Sequence, residues 1–130
     1  MAETARQPKG RQVAGVRRGE IWLVSFDPTV GHEIKKTRPA LVIQNDVGNR
    51  YSPLTIVAAI TSSLSPVPYP VEVHIEPAAA NGLDVRSAIR LDQIRTVDRR
   101  RLLRRLGVAD AATMGRVDEA IQISLGLVEF

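Results

Sequence analysis

The chain has 130 residues, 44% of them hydrophobic and 25% charged, which is typical of a single soluble globular domain. It contains no cysteine, which excludes disulfides, thiol catalysis and thiolate metal sites. Its two histidines are far apart in the sequence, which argues against a zinc site. No apolar run approaches the ~20 residues of a membrane span, and no signal-peptide pattern is present. We therefore expect a cytoplasmic protein without metal or other cofactor.

The formal net charge of +4 belongs to the N-terminal segment. Residues 1–18 carry five basic residues against Glu3, whereas 13 basic and 13 acidic residues balance from Gly19 onward. Residues 1–16 are polar and show no periodicity, which predicts a disordered basic arm before one domain over residues 17–130. Within that domain, Arg95–Arg105 holds six arginines against Asp98. A solvated face is the favoured interpretation of this arginine block, and a binding patch is the alternative.

Short runs rich in β-branched residues predict an antiparallel sheet. The predicted strands are Ile21–Phe26, Ala40–Gln44, Leu54–Thr61, Val71–Glu76, Ala88–Leu91 and Gln93–Val97. Turn-forming residues predict loops over Asp27–Thr37 and Asn45–Pro53. Because Val71–Glu76 alternates between apolar and polar residues, one of its faces should be solvated, and His74 belongs to that face.

The C-terminal part of the chain predicts a helix. Asp110 is a suitable N-cap, and an apolar stripe follows at helical spacing, formed by Met114, Val117, Ile121, Leu125 and Val128. Ile123, Leu127 and Phe130 lie off this stripe and fit either a dimer interface or core packing. The fold class predicted is α+β, a small and strongly bent antiparallel β-barrel closed by a C-terminal helix.

Two residues at strand ends are candidates for chemistry. Arg38 ends a basic loop and begins a buried strand, and its planar guanidinium suits a phosphate, although a surface ion pair with Glu33 fits as well. Thr61 ends the third strand before Ser62, where a hydroxyl can donate to an anion or form a strand-capping turn. His32, in the preceding loop, fits either a substrate contact or a solvated position. Local sequence favours the surface ion pair for Arg38, the turn for Thr61 and a solvated position for His32.

Several ordered blocks of the chain closely resemble the MazF/PemK family of toxin endoribonucleases. The blocks are Arg17–Val24 with Asp27-Pro28, Thr37–Asn49, Arg50–Pro53, Thr55–Thr61, Leu91–Asp98 and Val117–Leu125. They span about residues 17–130. The chain departs from the frequent Gly-Ser-Glu-Gln of the family at Gly31–Ile34, in the loop that helps to shape the substrate groove.

The resemblance implies an SH3-like barrel with a C-terminal helix and a sequence-specific, metal-independent mRNA interferase. It also implies a homodimer that is silenced by a cognate antitoxin. Arg38 and Thr61 match the catalytic pair of the family, and Glu33 matches a further acid of the loop. Such an enzyme cleaves single-stranded RNA by attack of a 2′-hydroxyl on the adjacent phosphorus, with Glu33, or failing that His32, as candidate base. The candidate RNA contacts are Asn45, Arg50, Ser62 and Gln93.

Two functions from other classes compete with this prediction. One is a non-catalytic nucleic-acid-binding module that uses the basic arm and the arginine block. The other is a protein-directed toxin, because a similar barrel occurs in the CcdB family of gyrase poisons.

Overall fold

The computed structural model describes residues 15–28, 30–33, 36–67 and 69–129. In chain order the elements are β1 (Glu20–Ser25), β2 (Thr37–Val42), α1 (Asp46–Tyr51), β3 (Leu54–Thr61), β4 (Glu72–Ile75), β5 (Ser87–Asp98), the 3₁₀ helix Arg99–Arg101, β6 (Leu102–Val108) and α2 (Ala111–Ser124). None of the helices in these ranges has the length and apolar character needed to cross a membrane. The predicted disordered arm falls almost wholly outside the described residues. Val16, next to its boundary, packs in the core.

The six strands form one antiparallel sheet in the order β4-β5-β3-β2-β1-β6. The α+β class is therefore confirmed, but the predicted closure into a barrel is wrong, because β4 and β6 are the two edges of the sheet. β4 has only four residues and does not pair with β6. The loop that follows β4 contacts β6 instead. The N–H of Val108 in β6 donates to the carbonyl of Ala80 in that loop at 2.9 Å. Gly82 and Gly107 allow this close approach, since a Cβ on Gly107 would lie 2.4 Å from the Ala80 carbonyl oxygen.

Apolar side chains fill both faces of the sheet. Successive strand residues point to opposite faces, and the two sets form separate clusters. The cluster on the helix face contains Ile21, Leu41, Ala58, Ile60, Ile89 and Leu91 together with Val117 and Ala120 of α2. The cluster on the opposite face, called the second face below, contains Val24, Phe26, Ala40, Val42, Val57, Ala59 and Val97.

β5 is one long strand where two short strands were predicted. Its pairing with β3 shifts in register, because Ala58 lies opposite Ile94 while the next residue, Ala59, lies opposite Arg90. This bulge reverses the alternation along β5, so that Leu91 and Ile94 both pack on the helix face. A bulge of this kind bends the strand and re-aims the side chains on either side of it. The apparent break in the sequence pattern is therefore a bend within a single strand.

Helix α2 begins as predicted, with the Asp110 carboxylate accepting a hydrogen bond from the Thr113 N–H at 2.8 Å. Val117 is buried, and Met114 and Ile121 pack against the same core. The rest of the predicted stripe is wrong: Leu125 and Val128 lie beyond the helix and are exposed. The chain leaves the helix at Leu125 and turns at Gly126, whose φ is +73°.

Three further elements were not predicted: α1, the 3₁₀ helix and β6. The expected loop over Asn45–Pro53 contains α1, whose N-cap is Asn45. Asn49 of α1 is buried, and its amide exchanges hydrogen bonds with Gln44 and Thr55. Residues 102–105, at the end of the arginine block, form the first part of β6, which pairs with β1.

Candidate active site

Arg38 and Thr61 lie at the same end of neighbouring strands. The hydrogen-bonded ladder of β2 and β3 pairs Val42 with Val57 and ends with Ala40 opposite Ala59. The same register, carried two residues further, sets Arg38 opposite Thr61. Ala40 and Ala59 belong to the second face, and residues two apart in a strand share a face. Both candidate side chains are therefore directed to the second face.

Arg38 is half-buried, and its backbone is paired with Val24 of β1. Its strand runs into the core through Ala40, Leu41 and Val42, each of them fully buried. The guanidinium thus extends from a rigid scaffold, a placement that favours a defined contact with a bound anion.

Thr61 is buried, and its hydroxyl oxygen accepts a hydrogen bond from the Ser63 N–H at 3.1 Å. The strand-capping turn that the sequence allowed is therefore present. A hydroxyl that accepts one hydrogen bond still has its own proton to donate. The turn fixes the oxygen while leaving that proton for an acceptor on the second face.

The loop between β1 and β2, which carries Glu33, is fixed at its base. The Phe26 N–H donates to the Lys36 carbonyl at 2.9 Å, and the Lys36 N–H donates to the Asp27 carboxylate at 3.0 Å. Glu33 itself is exposed, and its carboxylate accepts from the Val30 N–H at 2.7 Å. Its predicted ion pair with Arg38 is not among the contacts that the structure shows for Glu33. His32 is exposed in the same loop.

Three arginines of the arginine block bind backbone carbonyls. Arg95 donates to the Phe26 carbonyl at 2.8 Å, with its guanidinium 5.5 Å from the centre of the Phe26 ring. Arg101 donates to the carbonyls of Ser25 and Asp27, and Arg99 donates to that of Ser52 at 3.0 Å. The favoured interpretation of the block as a solvated face is wrong for these three residues. Arg95 and Arg101 fix the chain where β1 leads into the loop that carries Glu33, and Arg99 fixes the turn before β3.

The four candidate RNA contacts are dispersed. The Asn45 side-chain oxygen caps α1 by accepting from the Gly48 N–H at 2.8 Å, so it has the turn role that the sequence also allowed. Arg50 is exposed, with its guanidinium 5.4 Å from the ring centre of the exposed Tyr51. Ser62 is exposed directly after Thr61. Gln93 is half-buried in the bulge of β5, two residues before Arg95.

A polar cluster on β4 and β5 was missed. Glu72 and His74 lie on the side of β4 opposite Val73 and Ile75, as the alternation predicted, but that side is not solvated. The Glu72 side chain is 1% exposed and that of His74 is 14% exposed. Alternation along a strand shows which residues share a face but not what covers that face. The pairing of β4 with β5 supplies the cover here, through Arg90 opposite Glu72.

The fold matches solved toxin structures. An endoribonuclease from a mycobacterial species, solved in complex with its cognate antitoxin, superposes with a TM-score of 0.72. The match covers 89% of this chain and 100% of that one, at 21% sequence identity. At this identity the similarity shows the fold alone, a six-stranded antiparallel sheet with a C-terminal helix.

The sequence comparisons are more specific. The family of PemK-like, MazF-like toxins of type II toxin–antitoxin systems matches residues 17–125. Endoribonuclease EndoA of Bacillus subtilis is 46% identical over 115 residues, which cover 88% of this chain and 98% of the relative. Endoribonuclease MazF of Staphylococcus epidermidis is 44% identical over 115 residues, 88% of this chain and 95% of the relative. The chain belongs to the PemK/MazF toxin family, so the predicted family and enzyme class are confirmed.

Proposed function

We propose that this chain is a sequence-specific endoribonuclease that cleaves single-stranded RNA without metal, by attack of a 2′-hydroxyl on the adjacent phosphorus. The observation that carries the proposal is the β2–β3 register, which directs Arg38 and Thr61 to one face at one end of the sheet. The EndoA and MazF relatives, both named endoribonucleases, support the substrate class.

The two residues fit the charge that the reaction develops. Attack of the 2′-oxygen places an additional negative charge on the phosphoryl oxygens, and preorganised donors stabilise that charge without reorganising. Arg38 supplies a fixed positive fork and Thr61 a hydroxyl donor. The base that removes the 2′-hydroxyl proton is Glu33, whose exposed carboxylate is on the loop that precedes Arg38. The products are a 2′,3′-cyclic phosphate and a free 5′-hydroxyl.

Base recognition is assigned to the four candidate RNA contacts. The exposed Arg50–Tyr51 pair offers planar groups for stacking against unpaired bases. Ser62, directly after Thr61, and Gln93, two residues before Arg95, offer side-chain hydrogen bonds. Asn45 uses its side-chain oxygen in the α1 cap, which leaves its amide N–H groups for a base edge.

Family membership supports the partners and the compartment that we assign. We assign a cognate antitoxin to the chain because its family is one of toxin–antitoxin systems and a mycobacterial relative was solved with such a partner. A homodimer would cover exposed apolar residues after α2, where Leu125 and Leu127 are 60% and 69% exposed. Ile123 is half-buried, and Phe130 lies outside the described residues. The cytoplasm, where mRNA is translated, is the compartment that this function requires.

Cleavage of a long single-stranded RNA in EDTA tests the proposal. Arg38→Ala should lower the cleavage rate by about 10²–10³-fold, because losing one preorganised donor costs ~3–4 kcal/mol of transition-state stabilisation. Arg86→Ala is the matched control, since Arg86 is an exposed arginine paired only with Glu76 among the described residues. Thr61→Ser should retain more activity than Thr61→Val, which has the same shape as threonine but no hydroxyl.

Primer extension on the same reactions maps the cut sites. Cuts at one short recurring sequence support specificity, and cuts spread over all sequences contradict it. Undiminished cleavage by Arg38→Ala, or cleavage that disappears in EDTA and returns with a divalent cation, would refute the proposed chemistry.

A further inference from the structure

A carboxylate is buried beside the candidate active site. The Glu72 side chain in β4 is 1% exposed. Burying a carboxylate is unfavourable unless hydrogen bonds and opposite charges surround it. The mechanism described above makes no use of this group, so its surroundings indicate what it is for.

Three side chains surround Glu72. The Ser65 hydroxyl donates to Oε2 at 3.0 Å, and Nε of Arg90 lies 3.5 Å from the same oxygen. Nε2 of His74 lies 3.4 Å from Oε1. Arg90 is held in turn by Asp92, with hydrogen bonds of 2.9 and 2.8 Å. Glu72 therefore orients the His74 ring.

The register sets this imidazole in the same row as the candidate catalytic pair. Ala88 of β5 is paired with Thr61 on one side and with His74 on the other. Paired residues share a face, so His74 belongs to the second face together with Thr61. Two strand spacings separate them, about 10 Å between Cα atoms, and only the methyl group of Ala88 stands between them in the row.

We propose that His74 is the general acid of the reaction, which rests on the proposed RNA cleavage. The O2′–P bond forms and the P–O5′ bond breaks, Glu33 takes the 2′-hydroxyl proton, and the His74 imidazolium gives its proton to the leaving 5′-oxygen. Exchange with water then restores both groups. Arg38 is unsuited to this role because a guanidinium does not give up its proton near neutral pH. Glu72 is a positioning residue, since it acts through His74.

Other charged groups face His74 and must be considered in its pH dependence. They are Glu72 on its own strand, Arg90 and Asp92 on β5, and, around a cavity that His74 lines, Glu76, Asp110 and Arg116. Arg116 donates to the His74 carbonyl at 3.0 Å. The pKa of Arg90 is raised, chiefly by its hydrogen bond to Asp92, so Arg90 stays charged throughout the working range.

The first test is the kinetics of His74→Gln on RNA. General acid catalysis is worth about 10²–10⁴-fold, so we expect kcat to fall by roughly 10²-fold or more while KM changes little. A general acid must be protonated to act, so the wild-type rate should fall on the alkaline side of its pH profile. His74→Gln should lack that fall, and Glu72→Gln should lower kcat on ordinary RNA because the contact that orients the imidazole is changed. Glu119→Gln, at an exposed position of α2 that does not line this cavity, is the control and should behave as wild type.

The second test uses an RNA in which sulfur replaces the bridging 5′-oxygen at the cut site. A thiolate leaves without protonation, so His74→Gln should cleave this substrate at close to the wild-type rate, whereas Arg38→Ala should be slow on both substrates. Equal defects of His74→Gln on both substrates, or undiminished cleavage of ordinary RNA, would overturn the assignment. If His74→Gln fails to fold, a Glu72→Gln variant that is equally slow on both substrates, or undiminished on ordinary RNA, overturns it. A wild-type chain that cleaves no RNA would instead refute the proposed function and the assignment with it.

Discussion

The contact of Arg95 with Phe26 makes a quantitative prediction about stability. The Arg95 guanidinium donates to the Phe26 carbonyl at 2.8 Å and lies 5.5 Å from the centre of its ring. A hydrogen bond from a charged group is worth about 2 kcal/mol, and the cation–π contact about 1 kcal/mol. Arg95→Met keeps much of the apolar stem and removes both interactions, so the free energy of unfolding should fall by roughly 3 kcal/mol.

Thermal unfolding followed by circular dichroism measures this loss. For a domain of this size 1 kcal/mol corresponds to roughly 3 °C, so the melting temperature should fall by about 9 °C. Arg95→Lys keeps the charge and one donor and should lose less. Arg100→Met is the matched control, because the Arg100 side chain is 90% exposed and bonds only to Asp98 among the described residues; its melting temperature should not change measurably. A melting temperature of Arg95→Met that equals that of the control would refute the reasoning.

Two glycines and one helix cap give the remaining predictions. Gly115→Ala should raise the free energy of unfolding by about 1 kcal/mol, because Gly115 is within α2 and a Cβ there meets no atom within 4 Å. Gly82→Ala should destabilise the fold strongly, since its φ is +73° and a Cβ would lie 2.0 Å from the Leu106 carbonyl oxygen; chemical denaturation of both variants checks the opposite signs. The hydrogen bond from the Thr113 N–H holds the pKa of Asp110 below its ordinary value, so this carboxylate stabilises the fold above the ordinary pKa of aspartate and loses that effect as the pH falls through the lowered value. The difference in melting temperature between wild type and Asp110→Ala should therefore be larger at pH 7 than at about pH 3, and a difference independent of pH would contradict this.

The strands near the site were predictable because their sequences are strongly patterned. Leu54–Thr61 has the same bounds in the structure as in the prediction, and the Asp110 cap follows from one short polar side chain before an apolar stripe. β6 escaped prediction because Arg104 and Arg105 interrupt its apolar pattern; both are exposed, and Arg105 pairs with the Glu20 carboxylate at 3.1 Å. The predicted closure into a barrel was wrong because closure depends on which strands pair. Residue patterns within strands do not determine that pairing.

The candidate site was predictable only as separate residues. Arg38 and Thr61 were selected through a family resemblance, and their alignment on one face depends on the register of three pairs, which requires coordinates. Glu72 and His74 were interpreted as solvent-facing because alternation assigns a side of the strand and not its neighbours. Arg90, which covers Glu72, comes from a strand whose own alternation is reversed by the bulge.

The short ladder between β2 and β3 also makes activity a reporter of correct folding. A slip of one residue in a β-ladder moves every side chain of one strand to the other face. With such a slip, Thr61 would point into the helix-side core while Arg38 stayed on the second face. The two candidate catalytic side chains would then lie on opposite sides of the sheet. A chain trapped in that register would keep its secondary structure and lose its active centre. Specific activity would therefore distinguish correctly paired molecules from compact, mispaired ones that a circular dichroism spectrum counts as folded.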